Sequence, residues 1–347
     1  MTVGPGDVNS TLDEVAAAGN EAGSSLRAAT GSPGDSGRKK LESRSPVQIA
    51  FARLRRDKIA MVCAVIVVLF VLMGIFAPLL AGLEGQSPTA THYDLIGNDN
   101  LPSFYTNGQH WLGITSSNGY DVFARFVYGI RPSFLIAISA SIVTTVIGVV
   151  LGLLAGFLGG WVDRVIGWLT DFSLSLPILL MAIALVPVMS QYLAGSEPSQ
   201  SQVQQVRIVV LMIVLVFSGW AGTCRLVRGE TLALRQREFV QAARALGAPT
   251  GRVLFKEVLP NLTSIILVSI TLAIPAYIGA EAGLSYLGVG LTLPTADWGL
   301  DISLAQDQMQ AFPLPLLVPL IGLLIAVLCL SLLGDAISDA FNPNTRR

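Results

Sequence analysis

Charge is what this sequence has least of. Only 13% of its 347 residues are Asp, Glu, Lys or Arg, about half the share usual in a soluble globular chain. Conversely, 52% are hydrophobic and the mean hydropathy is +0.63. A wholly disordered chain has the opposite composition, so both a soluble globule and disorder along the whole length are excluded. Histidine is confined to His92 and His110, and no His-Glu-x-x-His occurs, which removes that zinc-hydrolase pattern. No Gly-Lys dipeptide exists, so the chain has no phosphate loop of the Gly-x-x-x-x-Gly-Lys-Ser/Thr kind to hold ATP. Gly334-Asp335 follows Leu332-Leu333 and lacks the first glycine of the Gly-x-Gly-Asp element of intramembrane aspartyl proteases. The three cysteines, Cys63, Cys224 and Cys329, are an odd number, far apart and each in an apolar stretch, as small apolar fillers are rather than a disulfide or metal framework. Catalysis by this chain, a bound cofactor or metal, and a nucleic-acid partner are therefore not expected.

What is present is a series of long apolar runs. Six segments, near 59–83, 133–160, 165–188, 207–225, 262–282 and 313–334, match the roughly 20 helical residues that cross a hydrocarbon core of about 30 Å. Residues 1–45 are rich in Gly, Ser, Ala and acids, and read as a disordered cytoplasmic tail rather than a signal peptide. Residues 46–83 then form a basic anchor (Arg53, Arg55, Arg56, Lys58) and the first span; 84–131 form an extracytoplasmic segment; 132–347 carry five more spans and a cytoplasmic loop at 226–261. Nine Lys/Arg precede Ile59 and seven lie between Arg225 and Lys256, while 191–206 and 291–312 contain none. By the excess of basic residues in cytoplasmic loops, both termini lie inside. Gly148, Gly152, Gly156 and Gly160 repeat every four residues, one stripe of a helix along which another backbone can pack closely in lipid.

The cytoplasmic loop is the most informative stretch. Glu238 to Leu246 are good helix formers, Gly247 suits a left-handed helix stop, and Pro249 suits the start of a second short helix. Leu259-Pro260 is expected to separate that helix from span five, because proline disfavours helical geometry in the residue before it. Glu238-Phe239-Val240-Gln241-Ala242-Ala243-Arg244-Ala245-Leu246-Gly247, with Leu259-Pro260-Asn261 beyond it, resembles the EAA motif of bacterial ABC importer permeases, and in its wider wording the dipeptide/oligopeptide/nickel subfamily. His110-Trp111-Leu112-Gly113, Asp121 to Arg125, Gly159-Gly160-Trp161-Val162-Asp163 and Gly334-Asp335 agree with that subfamily, so the resemblance covers about 50–347. Gln241 replaces the motif's glutamate, Glu257 stands where a histidine is frequent, and Ser116 to Tyr120 replace a more charged run.

The resemblance implies an all-α integral membrane protein, a type I ABC importer permease bundle of six transmembrane helices in a bacterial inner membrane. It implies that Glu238, Gln241, Ala242, Ala243, Gly247, Leu259 and Pro260 dock on a separate ATPase, with ATP and Mg held by that partner. A second homologous permease, two ATP-binding subunits and an extracytoplasmic substrate-binding protein complete the expected assembly. Glu281, Ser285 and Tyr286 are placed by resemblance near the translocation pathway; for Glu281 the alternative is a structural role, capping a short helix or pairing with Arg131. Pro294 to Gly299 read as an exterior turn whose Trp298 either anchors at the interface or receives the binding protein. The rival class is a gradient-driven secondary transporter or channel, for which neither an internal repeat nor mid-span coupling acids are found.

Overall fold

A computed structural model describes residues 51–116, 118–195 and 198–341. The tail expected at 1–45, and Arg346 and Arg347, lie outside the described residues. Among the described residues the regular elements are helices, and the connections between them are turns and irregular segments with isolated bridges such as Thr91 with Tyr120 and Ile114 with Asp121. The helices are α1 Lys58–Ile75, α2 Ala77–Glu84, α3 Val122–Leu158, α4 Gly160–Ser175, α5 Ile178–Ala194, α6 Gln200–Arg235, α7 Glu238–Ala245, α8 Thr263–Tyr286, α9 Trp298–Ala305 and α10 Leu314–Phe341. Five of them, α1, α3, α6, α8 and α10, are individually long and apolar enough to span, and α4 with α5 gives a sixth if that bent pair counts as one.

The expected single span at 165–188 is broken: α4 and α5 meet at 85°. Pro177 is the cause. It holds Leu176 extended at φ −87°, ψ 117°, the geometry required before a proline, and a hydropathy window averages across it. Not every proline acts so. Pro132, Pro187, Pro275 and Pro319 lie inside helices, where neighbouring helices can satisfy the freed backbone.

α3 also starts earlier than the expected 133, at Val122, with Asp121 accepting from Ala124 N at 2.7 Å. Arg125 and Arg131 end the apolar window in the sequence, yet both are accommodated. Arg131 donates to the carbonyls of Gly74 at 2.6 Å and Ile75 at 3.0 Å. Gly74 sits four residues before Pro78, which has no N–H to offer its carbonyl, and the guanidinium takes that place while lying 5.1 Å from the Tyr128 ring centroid.

The 37 residues of α3, about 55 Å of helix, pack along α6. A side chain placed on Gly148 would meet the Trp220 carbonyl at 2.9 Å, one on Gly152 the Cys224 carbonyl at 2.7 Å, and one on Gly156 the Arg228 carbonyl at 2.8 Å. The fourth glycine of the sequence pattern does not belong to this row. Gly160 begins α4 at φ +59° with nothing within 4 Å, because the chain reverses at Gly159-Gly160 after α3 ends. The core around this seam joins Ile136, Ala137, Ala140, Leu211 and Leu215 with Ile278 and Trp298. All three cysteines are buried and unbridged.

Because the obstacle at Gly152 is backbone, it cannot rotate away. Gly152→Ala is expected to cost about 1–3 kcal/mol by overpacking, read as a lowered melting temperature of the purified transporter. Gly222→Ala on α6, with nothing within 4 Å, is expected to leave that temperature unchanged or raise it.

Candidate functional site

At the base of the bundle, α7 ends in a Schellman turn. Gly247 N donates to Arg244 O at 2.9 Å and Ala248 N to Ala243 O at 3.1 Å, with Gly247 at φ +79°, the left-handed conformation that glycine adopts without strain. The return arm is continuous helix: Thr250–Arg252, a π segment Val253–Val258, then Leu259–Asn261. Here the expected break is absent. Leu259 is helical at φ −56°, ψ −42°, since the wider π turn supplies room for the Pro260 ring and shifts the hydrogen-bond register past its missing N–H. Asn261 Nδ2 adds a bond to Glu257 O at 2.6 Å. The arm therefore runs into α8 through Leu262, whose carbonyl accepts from Ile266 N at 2.9 Å.

One face of this bent element is cemented upward. Val240, Val253, Leu254, Val258 and Leu262 pack with Val149, Leu153, Phe157 and Val227, and the Arg244 guanidinium lies 4.3 Å from the Phe157 ring centroid. The other face carries Glu238, Gln241, Ala242, Gly247 and Pro260, all exposed, with Ala243 and Leu259 half-buried. Three large apolar side chains also point out: Phe239, Phe255 and Leu246, the last 88% exposed. A cavity of about 760 Å³ opens between Leu234, Arg237, Glu238, Phe239 and Asn261. Gln241 donates to Gln236 O at 3.1 Å, so the residue in the glutamate's place closes the turn before α7.

At the opposite end, Glu281, Ser285 and their neighbours form a closed polar cluster. Ser133 donates to Glu281 at 2.9 Å and Ser285 at 3.2 Å, and Ser285 Oγ accepts from Leu291 N at 3.1 Å. Arg131 is not a partner, being occupied at the end of α1. Glu281 and Ser285 are fully buried, whereas Tyr286 is exposed and donates to Gln306 at 2.6 Å. Asp297 is fully buried and caps α9 at Leu300 N, while its Oδ2 has no hydrogen-bond partner.

Trp298 is neither an interfacial anchor nor exposed: it is fully buried, donates to Phe126 O at 3.0 Å, and stacks on Phe126. The 294–299 turn folds back onto α3 because Arg125 holds it. That buried guanidinium pairs with Asp301 at 2.6 Å and donates to Thr295 O at 3.0 Å, Pro88 O at 3.2 Å and Pro294 O at 3.3 Å.

Sequence reasoning placed Arg125 and the 291–312 segment that holds Asp301 on the exterior side without joining them, found His110 only as part of a motif, and passed over Glu84 and Arg207. His110 Nδ1 lies 2.8 Å from Asp121 Oδ2, both buried. Glu84 accepts from Trp111 N. Arg207, six residues C-terminal to Ser201 within α6, donates to Gly290 O at 2.9 Å, while its Nε is buried without a partner. An arginine inside a span is itself a signal of a specific role.

Residues 148–347 match the family of binding-protein-dependent transport system inner membrane components, and residues 45–102 match the N-terminal transmembrane domain of oligopeptide transport permease C. The chain belongs to this family of transport permeases. Within it, the chain is of the oligopeptide and dipeptide permease type: it is 34% identical to the oligopeptide transport system permease protein OppC of Bacillus subtilis over 92% of this chain and 96% of that protein. The dipeptide permease DppC of Alkalihalophilus pseudofirmus is 33% identical over 87% and 91%, and the glutathione permease GsiD of Shigella dysenteriae 34% over 87% and 92%.

Two carboxyls of the connections at the Glu281 end of the bundle, outside the spans, have raised pKa values. Burial pushes Glu84 up to about 7, with nearby Asp121 adding to the rise and the Trp111 N–H opposing it. Burial pushes Asp301 up to about 6 against the opposing charge of Arg125. Both folded values exceed the unfolded ones, so the folded state binds more protons and stability falls as pH rises. Thermal stability is expected to increase on acidification from about pH 8 toward 5, and Glu84→Gln to flatten the upper part of that profile; a melting curve series at fixed ionic strength checks it.

Proposed function

We propose that this chain is the permease subunit of an ATP-driven importer for dipeptides, oligopeptides or similar small solutes, forming half of the translocation pathway. The single observation that carries the coupling is the bent element at 238–261, fixed to the bundle on one face and presenting Phe239, Leu246 and Phe255 on the other. Such a solvent-facing apolar set suits a docking surface, and the seat is a separate ATPase subunit. ATP and Mg are held there, since this sequence has no phosphate loop of its own.

In this reading, a second homologous permease completes the pathway, two ATP-binding subunits drive it, and an extracytoplasmic binding protein delivers solute. Both termini face the cytoplasm of a bacterial cell whose inner membrane holds the bundle. A motion of the ATPase pair moves the element, and because its return arm is continuous with α8, the motion enters a span directly. The docking must bind the two states of the bundle unequally, since only differential affinity shifts a conformational equilibrium. Support for the solute class comes from the OppC, DppC and GsiD relatives.

The test is uptake of labelled peptides into proteoliposomes holding the chain with its partner subunits and binding protein. Uptake is expected to need ATP and all partners; uptake driven by an ion gradient alone would reinstate the secondary-transporter class. In the same assay Gly247→Val, which forces a β-branched residue into φ +79° at a cost of about 1–3 kcal/mol, is expected to preserve membrane insertion but reduce peptide uptake per ATP hydrolysed at least tenfold. An unchanged ratio would count against coupling through this turn.

A further inference from the structure

Where α4 and, past the bend at Pro177, α5 run along α6, the seam has two halves of opposite character. Its polar half is an open cavity of about 580 Å³ whose lining includes Asp163, Arg164, Trp168, Asp171, Arg225 and Arg228. Its apolar half is a groove of about 600 Å³ lined by Phe172, Leu176, Leu180, Ile213 and Phe217 among others. Phe172 and Trp168 stack at 5.8 Å with 14° between their planes, so the two halves meet at one aromatic pair.

The cations of the polar half are unequally committed. Arg228 is held by Asp163 through two bonds, one of them 2.8 Å, with both side chains partly buried. Arg225 makes a single 2.8 Å bond to Asp171, and these side chains are 59% and 74% exposed. An ion pair that open contributes little to stability and exchanges readily for a better anion. Arg164 is exposed and makes no ion pair with a carboxylate among the described residues. Three arginines against two aspartates leave one positive charge, and two of the guanidiniums are free to turn toward a shared oxyanion. Trp161 and Trp168, 73% and 64% exposed, have the amphipathic character of aromatics at a bilayer interface.

We propose that this seam binds an anionic phospholipid of the cytoplasmic leaflet, its phosphodiester held by Arg164 and Arg225 and its acyl chain laid in the groove from Phe172 to Leu180. The combination of a basic cavity with a contiguous apolar groove distinguishes this ligand from a free phosphate, which has no use for the second half. Basic pockets between transmembrane helices on the cytoplasmic side are suited to such headgroups. The proposal rests on the cytoplasmic placement of the α7 end of α6, and is independent of which solute is carried.

The experiment is native mass spectrometry of the complete transporter, titrated with phosphatidylglycerol, phosphatidylcholine or inorganic phosphate. Phosphatidylglycerol is expected to bind at least tenfold more tightly than phosphatidylcholine. The double variant Arg164→Gln/Arg225→Gln is expected to lose about 30-fold in phosphatidylglycerol affinity, from roughly 1 kcal/mol per arginine, while Arg164→Lys/Arg225→Lys keeps most of it. An unchanged melting temperature of the intact complex shows that the glutamine variant is folded. Equal phosphatidylglycerol affinity in the glutamine variant would overturn the proposal. So would inorganic phosphate binding as tightly as the lipid, which would make this a free-anion site, or a seam that retains no lipid because the second permease covers it.

Discussion

The close approach of α3 to α6 is the constraint on which the rest depends. In lipid, apolar surface gains little by turning inward, so helices hold together by close packing and by polar bonds that have no water to compete. Three glycines at 148, 152 and 156 let the α6 carbonyls come within 2.7–2.9 Å of where a Cβ would stand, closer than van der Waals contact would allow. That contact runs down the inner half of α3. The outer half of the same helix carries Arg125, Arg131 and Ser133, each bonded to a different segment of chain. One rod thus sets the positions of α1, α6, α8, the 294–301 turn and, through Leu153 and Phe157, the bent cytoplasmic element.

Most of the helices were legible because hydropathy is a local property. The six apolar runs, the basic loops and the Gly247 stop could all be read from neighbours in sequence. Two of the failures share a cause: each depended on a partner far along the chain. Arg125 looks like the end of a span until Asp301, 176 residues away, neutralises it. Trp298 looks like an interfacial residue until Phe126, Phe70 and Phe134 enclose it. Prolines show a different, local limit. Pro177 breaks a span and Pro260 does not, because the π segment before Pro260 provides an alternative register, and nothing in the Leu-Pro dipeptide itself reveals that.

The candidate site divides in the same way. The turn within the EAA-like stretch was legible from sequence because the left-handed stop at Gly247 follows from local turn chemistry. Glu281 was found because a carboxylate in an apolar run is conspicuous. What the sequence could not supply was its surroundings: two serine hydroxyls and Asp297 in place of an arginine. The conspicuous acid is thereby part of a closed junction between α3, α8 and the turn before α9, and Tyr286 is the member of the expected trio with solvent access.

The two ends of the bundle are held by different physics, and this bears on how motion passes through it. The outer end is fastened by directional bonds to Arg125, Glu281 and Asp297, all buried; breaking one leaves a charge or polar group without a partner, at a cost of several kcal/mol. The inner end is fastened by aliphatic packing of Val240, Val253, Leu254 and Val258, which resists separation yet tolerates small sliding, because dispersion contacts are many, weak and nondirectional. In the proposed ATP-driven cycle, a force on the bent element would meet an attachment that can shift in small steps and a far end that cannot. α3 and α8 would then be loaded against a fixed junction at Glu281, and the displacement concentrated between the helix ends beside the bent element. At the seam between α4 and α6 the exposed Asp171–Arg225 pair opposes such a shift less than the doubly bonded Asp163–Arg228 pair beside it.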